Sequence, residues 1–148
     1  MSLTLCFTRR FVRLCNELGI PVDFVKDELA KNLKRFKNKP SHKRLYFDTH
    51  GNAKSSMYYS GARIIMLLTY SVEDLPKYLK QKYFFRDLFH ELRHFQQDKI
   101  YNWDMNEYSF KDLNEANNFY FYSKMEKDAR KYEKRGLCVY RRFKKLFD

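Results

Sequence analysis

Hydrophobic residues in the first part of the chain recur every three or four positions, which is the spacing of a buried helix face. This pattern predicts one helix over residues 4–18 and a second from Asp23, as N-cap, to about Phe36. Between them, Gly19 and Pro21 are residue types that end a helix. The apolar positions that define the two faces are Phe7, Phe11, Leu14 and Leu18, followed by Val25, Leu29, Leu33 and Phe36.

The spacing then becomes that of β-strands. Three short segments rich in aromatic and aliphatic residues are predicted as strands, at residues 44–49, 56–60 and 63–70. Turn-forming residues at 50–52 separate the first two. Strands in such close succession indicate an antiparallel or mixed sheet, without βαβ units.

Helical spacing returns in the second half of the chain. Residues 71–74 resemble a capping box and predict the start of a helical region that reaches about Asp98. The polar segment 99–111 is predicted to be a loop. A further helix is expected over residues 112–134, ended by Gly136, and the pattern after it suits either a strand or a helix.

The composition is that of one globular domain spanning residues 1–148. A chain of 148 residues with 44% hydrophobic and 32% charged residues can bury a core and is not disordered. Three cysteines without a CxxC pair favour reduced thiols and an intracellular location. No apolar run is long enough to span a membrane. Residues 1–40 are expected to form a helical N-terminal part that supplies either core packing or substrate selection.

The chain is strongly basic, with 30 Lys and Arg against 18 Asp and Glu, a net charge of +12. Such a surface can bind the phosphates of nucleic acid, although a solvated helix face is the alternative. The charge is spread over both halves and is concentrated only near the C-terminal tail, residues 135–148. The basic residues in and just before this tail are Arg130, Lys131, Lys134, Arg135, Arg141, Arg142, Lys144 and Lys145.

One predicted helix carries a motif with chemical meaning, His90-Glu91-Leu92-Arg93-His94, which has the form HExxH. Four residues turn a helix by about 400°, so the two imidazoles lie on one face, about 6 Å apart along the axis. Both can then reach one tetrahedral Zn²⁺. Glu91 lies one step round the helix, where it can act as a general base beside the metal. The alternative is two surface histidines with Glu91 in a salt bridge.

A catalytic zinc needs a third protein ligand, because HExxH supplies only two. Ile100 occupies the position at which metzincins carry a third histidine, so a carboxylate from the following helix is expected. Glu115 and Glu126 share a helix face but lie about 16 Å apart, so only one can bind. Asp128 is expected to be solvated or to accept a histidine N–H. The remaining downstream acids are Asp104, Glu107, Asp112 and Glu133.

Residues 44–134 resemble the gluzincin-type zinc metallopeptidases, in particular the small ImmA/IrrE-like and phage-encoded proteins. In these, HELxH is followed by an E-x-x-A motif on the next helix, which residues 126–129 match. Gln97 matches their HELRHxxQ variant, whereas Arg93 replaces their usual glycine. The resemblance implies Glu126, in preference to Glu115, as the third ligand. It also implies that strand 63–70 is an edge strand that pairs with an extended peptide.

Together these observations predict a minimal zincin-like α+β fold, with a three-stranded sheet packed on the HExxH helix and the ligand helix. The expected function is hydrolysis of peptide bonds in an intracellular protein substrate. Zn²⁺ would be held by His90, His94 and Glu126, with Glu91 as general base. The positive charge predicts an acidic substrate, or an acidic molecule that holds it. The alternatives are a basic nucleic-acid-binding module and a non-catalytic zinc protein that binds a partner without cleaving it.

Overall fold

The structure is a computed structural model that describes residues 3–34, 44–50, 55–68, 75–103 and 123–147. Over these residues the chain is α+β, as predicted, with four helices and a small mixed sheet. In chain order the elements are β1 (Thr4–Phe7), α1 (Arg9–Glu17), α2 (Val22–Leu33), β2 (Arg44–His50), β3 (Met57–Tyr59), β4 (Ile64–Leu68), α3 (Lys77–Phe95), a π-helical segment (Gln96–Ile100) and α4 (Lys124–Phe147).

The sheet has four strands in the order β1-β2-β4-β3, so a mixed sheet is confirmed but the expected count of three is wrong. Strands β1, β2 and β4 run parallel, and β3 is antiparallel to β4. In register, Ile65 of β4 pairs with Phe47 of β2 on one side and with Tyr58 of β3 on the other. Strand β4 is therefore interior, and the expectation that 63–70 is an edge strand is wrong. Among the strands that the structure describes, β1 and β3 are the edges.

The fourth strand comes from the segment predicted as the start of a helix. Residues 4–7 form β1 beside β2, and α1 begins only at Arg9. Leu5 and Phe7 alternate along the strand and pack against the core. Thr8 marks the boundary, because its side-chain oxygen caps α1 by accepting the N–H of Phe11 at 3.2 Å. The connection from β1 through α1 and α2 to β2 is thus a single parallel crossover within a mixed sheet.

The N-terminal helices serve the core. Helix α2 begins at Val22 with Pro21 as its N-cap, two residues before the predicted N-cap, Asp23. Residues 3–34 contribute to core packing, which is one of the two roles expected for residues 1–40. Their buried hydrophobic side chains are Phe11, Leu14, Cys15, Leu18, Ile20, Val25 and Leu29.

Helix α3 lies at the centre of this core. Its Phe84 ring is 5.9 Å from Phe11 of α1, and its Phe85 ring is 5.7 Å from Phe143 of α4. Leu88, Phe89, Leu92 and Phe95 on the same helix are fully buried. Helix α3 therefore packs against both α1 and α4.

Helix α4 does not end at Gly136 but continues to Phe147, so the predicted stop is wrong and the tail is helical. A Cβ atom placed on Gly136 would lie 2.3 Å from the backbone oxygen of Phe85 and 3.1 Å from Cβ of Phe89. Glycine is needed here because the two helix backbones approach too closely for any side chain.

Several predicted features fall outside the described residues. These are the turn at 51–52, the capping box at 71–74, the loop from residue 104 onward and the beginning of the last helix at 112. Residues 101–103 of the predicted loop have no regular structure, whereas 99–100 belong to the π-helical segment. Within the described residues, no helix combines the length and the apolar character needed to cross a membrane.

The carboxylate of Asp48 joins β2 to the start of α1. It accepts hydrogen bonds from the Thr8 hydroxyl at 2.8 Å, from the Thr49 N–H at 2.8 Å and from two nitrogens of Arg10 at 2.7 and 3.1 Å. Burial by itself raises the pKa of Asp48, but these hydrogen bonds outweigh burial and hold the pKa below its ordinary value.

We predict that Gly136→Ala destabilises the protein by about 2–3 kcal/mol, because the overlap with α3 exceeds the gain of about 1 kcal/mol in helix propensity. The matched control is Gly61→Ala, since no heavy atom lies within 4 Å of a Cβ there. Urea unfolding of both variants measures the effect. Equal midpoints for the two alanine variants would contradict the close approach.

We predict that Asp48→Asn lowers the free energy of unfolding by about 1–2 kcal/mol near neutral pH. A carboxylate with a depressed folded-state pKa stabilises the protein above its unfolded-state pKa, and loses this effect as pH falls through the folded-state pKa. The difference between variant and wild type should therefore shrink toward zero below the ordinary Asp pKa. Denaturant titrations at several pH values test this. Asp27→Asn, at an exposed position of α2, should show no comparable effect.

Candidate metal centre

Helix α3 brings the three polar residues of HExxH together, as its period requires. The rings of His90 and His94 have centroids 5.0 Å apart. One potential ligand atom from each of His90, Glu91 and His94 lies within 4.8 Å of the others, so this group could hold a metal ion. Glu91 and His94 are buried, with 5% and 7% of their surface exposed. The alternative of two surface histidines does not describe this arrangement.

A second carboxylate, that of Glu126, approaches the same histidines from α4. Its two oxygens lie 3.1 Å from Nε2 of His90 and 2.8 Å from Nε2 of His94. Glu126 stands in the first turn of α4, where its backbone N–H is bonded to the hydroxyl of Ser123 at 3.2 Å. Its side chain is almost fully buried. The structure thus places together all four residues, His90, Glu91, His94 and Glu126, that the sequence singled out. The rival, Glu115, lies outside the described residues.

The other nitrogen of each imidazole is also held. Nδ1 of His90 lies 2.7 Å from a carboxylate oxygen of Glu133, two helical turns after Glu126 on α4. Nδ1 of His94 lies 2.9 Å from the side-chain oxygen of Gln97, which is in the first helical turn after the motif. Acceptors on the far nitrogen fix the ring orientation and leave Nε2 directed at the site, as is general for histidines that bind metals.

A polar network around Gln97 joins the π-helical segment to α4. The Gln97 amide donates to the backbone oxygen of Met125 and to the carboxylate of Asp128, both at 2.9 Å. Arg93 contacts the same carboxylate at 2.6 and 3.3 Å and also Gln96 at 3.0 Å. Asp128 thus supports the histidines indirectly, through Gln97, and is neither a direct acceptor for an imidazole nor simply solvated.

Electrostatics favour charged imidazoles in this cluster. Burial lowers the pKa of His90, but hydrogen bonds to Glu126 and Glu133 outweigh burial and raise the pKa to about 10. Burial likewise lowers the pKa of His94, and the hydrogen bond to Glu126 more than offsets it, so the pKa is raised. For Glu126, burial raises the pKa while the two histidines lower it to about 2.

The charge of this cluster suits a dication. Both nitrogens of each ring face acceptor oxygens, so each imidazole must carry two protons to make all its contacts. The two Nε2 protons bring a charge of +2 into the space between His90, His94 and Glu126. A divalent ion in that space would replace two protons by an equal charge, and its binding would release protons.

Glu91 differs from Glu126 in its environment. Burial raises the pKa of Glu91 above its ordinary value, and the neighbouring histidines only partly oppose this. Two carboxylates beside the same imidazoles are therefore pushed in opposite directions. This separation is the pattern expected of one carboxylate that stays ionised and one that exchanges a proton.

Sequence reasoning placed Glu133 only among several possible ligands and did not connect Gln97 with His94. The spacing of three residues from His94 to Gln97 on a helix was the available signal for that contact. The contact of Glu133 with His90 depends on how α4 packs against α3, which sequence spacing does not define.

No protein-family model, curated protein or solved structure matches the chain significantly. The chemistry of the site is therefore inferred from the residues and geometry of this chain.

We predict that Glu133→Gln weakens the binding of a divalent metal ion by about tenfold or more, because the charged acceptor that orients His90 is replaced by a neutral amide. Competition with a chromophoric chelator measures the affinity. Glu17→Gln, which removes one exposed acid from α1, is the matched control and should leave affinity unchanged. Equal affinities for the two variants would exclude an orienting role for Glu133.

Proposed function

We propose that the protein is a zinc-dependent metallopeptidase in which His90, His94 and Glu126 hold the metal and Glu91 is the general base. The observation that carries this proposal is the convergence of two histidine Nε2 atoms on the two oxygens of Glu126, at 3.1 and 2.8 Å. Each imidazole is also fixed by a second acceptor on Nδ1. Such an arrangement offers three ligand atoms with little rearrangement.

The donor set supports zinc with a catalytic role. Two imidazole nitrogens and one carboxylate are the ligands of thermolysin-type zinc sites, which keep the fourth position for water or substrate. A zinc ion bound there would polarise both the attacking water and the scissile carbonyl. The resemblance to gluzincin-type metallopeptidases, carried by HExxH and residues 126–129, supports the same assignment.

Glu91 has the properties that a general base requires. Glu91 follows His90 directly on the helix, and its carboxylate lies beside the two histidines. Burial raises the pKa of this carboxylate. A raised pKa lies closer to neutral pH. A carboxylate with such a pKa can both accept and release a proton there, as a general base must. Glu91 would take the proton of the attacking water and pass it to the departing amine, so that the peptide C–N bond breaks as the new C–O bond forms.

The sheet edge nearest to the motif helix is the proposed position for an extended substrate. This edge is β3, whose Tyr58 hydroxyl donates to Asp98 in the π-helical segment at 2.8 Å. The ring of Tyr58 also lies 6.0 Å from Phe95 at the end of α3. A peptide added beside β3 would form main-chain hydrogen bonds next to the helix that carries His90 and His94.

We predict that Glu91→Gln retains one zinc per chain but lowers peptidase activity by about 10²-fold or more. His90→Ala and Glu126→Ala should lose the zinc itself. Metal content is measured by atomic emission. Activity is measured by comparing protein N-termini in cells that express wild type or Glu91→Gln, with Glu17→Gln as the control substitution.

New N-termini that occur with wild type and with Glu17→Gln, but not with Glu91→Gln, would support the proposal and identify the substrate. If Glu91→Gln produced the same N-termini as wild type, Glu91 could not be the general base. A protein that binds zinc but produces no new N-termini would be a zinc protein without peptidase activity.

A further inference from the structure

Helix α4 carries a straight row of exposed basic side chains. The exposed charged residues of this helix are all Lys or Arg. Six of them follow one another at intervals of three, four, three, seven and four residues, with the exposed Cys138 between the fourth and fifth. The members of this basic row are Lys124, Lys127, Lys131, Lys134, Arg141 and Lys145.

The row is long and its charges are closely spaced. From Lys124 to Lys145 it extends for about 31 Å along the helix axis, with neighbouring members about 4.5–6 Å apart except at Cys138. Intervals of three and four residues keep all members on one side of the helix, with a slow drift of about 20° per heptad. A single rigid element thus presents one sign of charge along its whole length.

Each acid of α4 bonds to groups outside this helix, although the charge of Asp128 also interacts with that of Lys131, a member of the row. Helix α4 contains ten basic and three acidic residues, a net charge of +7. Glu126 and Glu133 contact the histidines, and Asp128 contacts Arg93 and Gln97. The carboxylates therefore lie toward α3, while the basic row faces solvent.

We propose that the basic row of α4 binds the phosphate backbone of a nucleic-acid duplex. A duplex is a rigid rod that carries one negative charge per about 1.7 Å of its axis, so it can meet a straight row of cations without being ordered first. An acidic protein segment would need carboxylates regularly placed over the same length. This binding surface requires neither the metal nor peptidase activity.

A single strand fits the surface less well than a duplex. Binding of single strands usually combines a basic groove with aromatic rings on which bases stack. Among the described residues, the cation–π contact made by a member of the row is that of Lys124, whose ammonium lies 4.6 Å from the centre of the Trp103 ring. One face of the indole is therefore covered by a member of the row. The surface depression of about 530 Å³ beside this ring is lined by Trp103, Lys124, Lys127, Asp128 and Lys131.

The row and the metal donors point in different directions. Glu126 precedes Lys127 by one residue and is rotated from it by about 100° around the helix. Glu126 is buried against α3, whereas Lys127 is exposed. A duplex bound along the row would therefore contact α4 from the side away from His90 and His94, and a protein carried by that duplex could still reach the site.

The test is the salt dependence of binding to a fluorescently labelled DNA duplex of about 20 base pairs, measured by anisotropy from about 50 to about 200 mM salt. Six phosphate contacts predict that affinity falls about 10³-fold over this range, a logarithmic slope of about −5. The variant Lys131→Gln/Lys134→Gln/Arg141→Gln should reduce the magnitude of this slope by about 3.

The matched control removes the same charge from exposed positions of α1 and α2, as Arg9→Gln/Arg13→Gln/Lys26→Gln. It should bind the duplex with the wild-type slope, and so should Glu91→Gln, which separates this surface from peptidase activity. Equal losses in the two triple variants would overturn the proposal, because only net charge would then matter. Tighter binding of a single strand or of a poly-glutamate peptide than of the duplex would also overturn it.

Discussion

The close approach of α3 and α4 at Gly136 sets the geometry on which the site depends. At this point the α4 backbone packs directly against the carbonyl of Phe85 and the Cβ of Phe89, with no side chain between them. Ten residues earlier on the same helix, Glu126 reaches the imidazoles of α3. The side chain of Glu126 is short, so its carboxylate can contact both histidines only if the axes of α3 and α4 are held close together. The packing of the hydrophobic core therefore also determines where the carboxylate of Glu126 lies relative to the two imidazoles.

Charge on α4 is separated between the two sides of the helix. Its three acids contact the polar residues of α3 and of the following π-helical turn. Its exposed charges are basic and remain in water, where they cost little in stability. Burying an ion pair is expensive unless further hydrogen bonds complete it. The contacts of Glu133 with His90 and of Asp128 with Gln97 supply such bonds.

The sequence predicted the part of the site that lies within one helix turn. The spacing of His90, Glu91 and His94 follows from helix geometry, so their proximity could be predicted without knowing the fold. Glu126 required the additional resemblance of residues 126–129 to a family motif. The contact of Glu133 with His90 could not be predicted, because it depends on the rotation of α4 against α3, which is determined by packing over many residues.

The errors in the predicted fold have similar physical causes. A strand of four residues followed directly by a helix leaves Phe7 and Phe11 four positions apart, and this spacing is also that of a helix. Gly136 was assigned to a helix end from its local propensity, whereas its neighbours in space, Phe85 and Phe89, require the missing side chain. In both cases a contact between distant parts of the chain outweighs a local preference.

The division of the proposed metal donors between two helices has a consequence during protein synthesis. His90 and His94 leave the ribosome well before Glu126, and the carboxylate cannot reach them until α4 has folded onto α3. A nascent chain that has reached only the end of α3 therefore has the donors of that helix, without the carboxylate of Glu126. The complete set of donors forms only after the core that supports it, so the fold itself delays assembly of the site until the chain is folded.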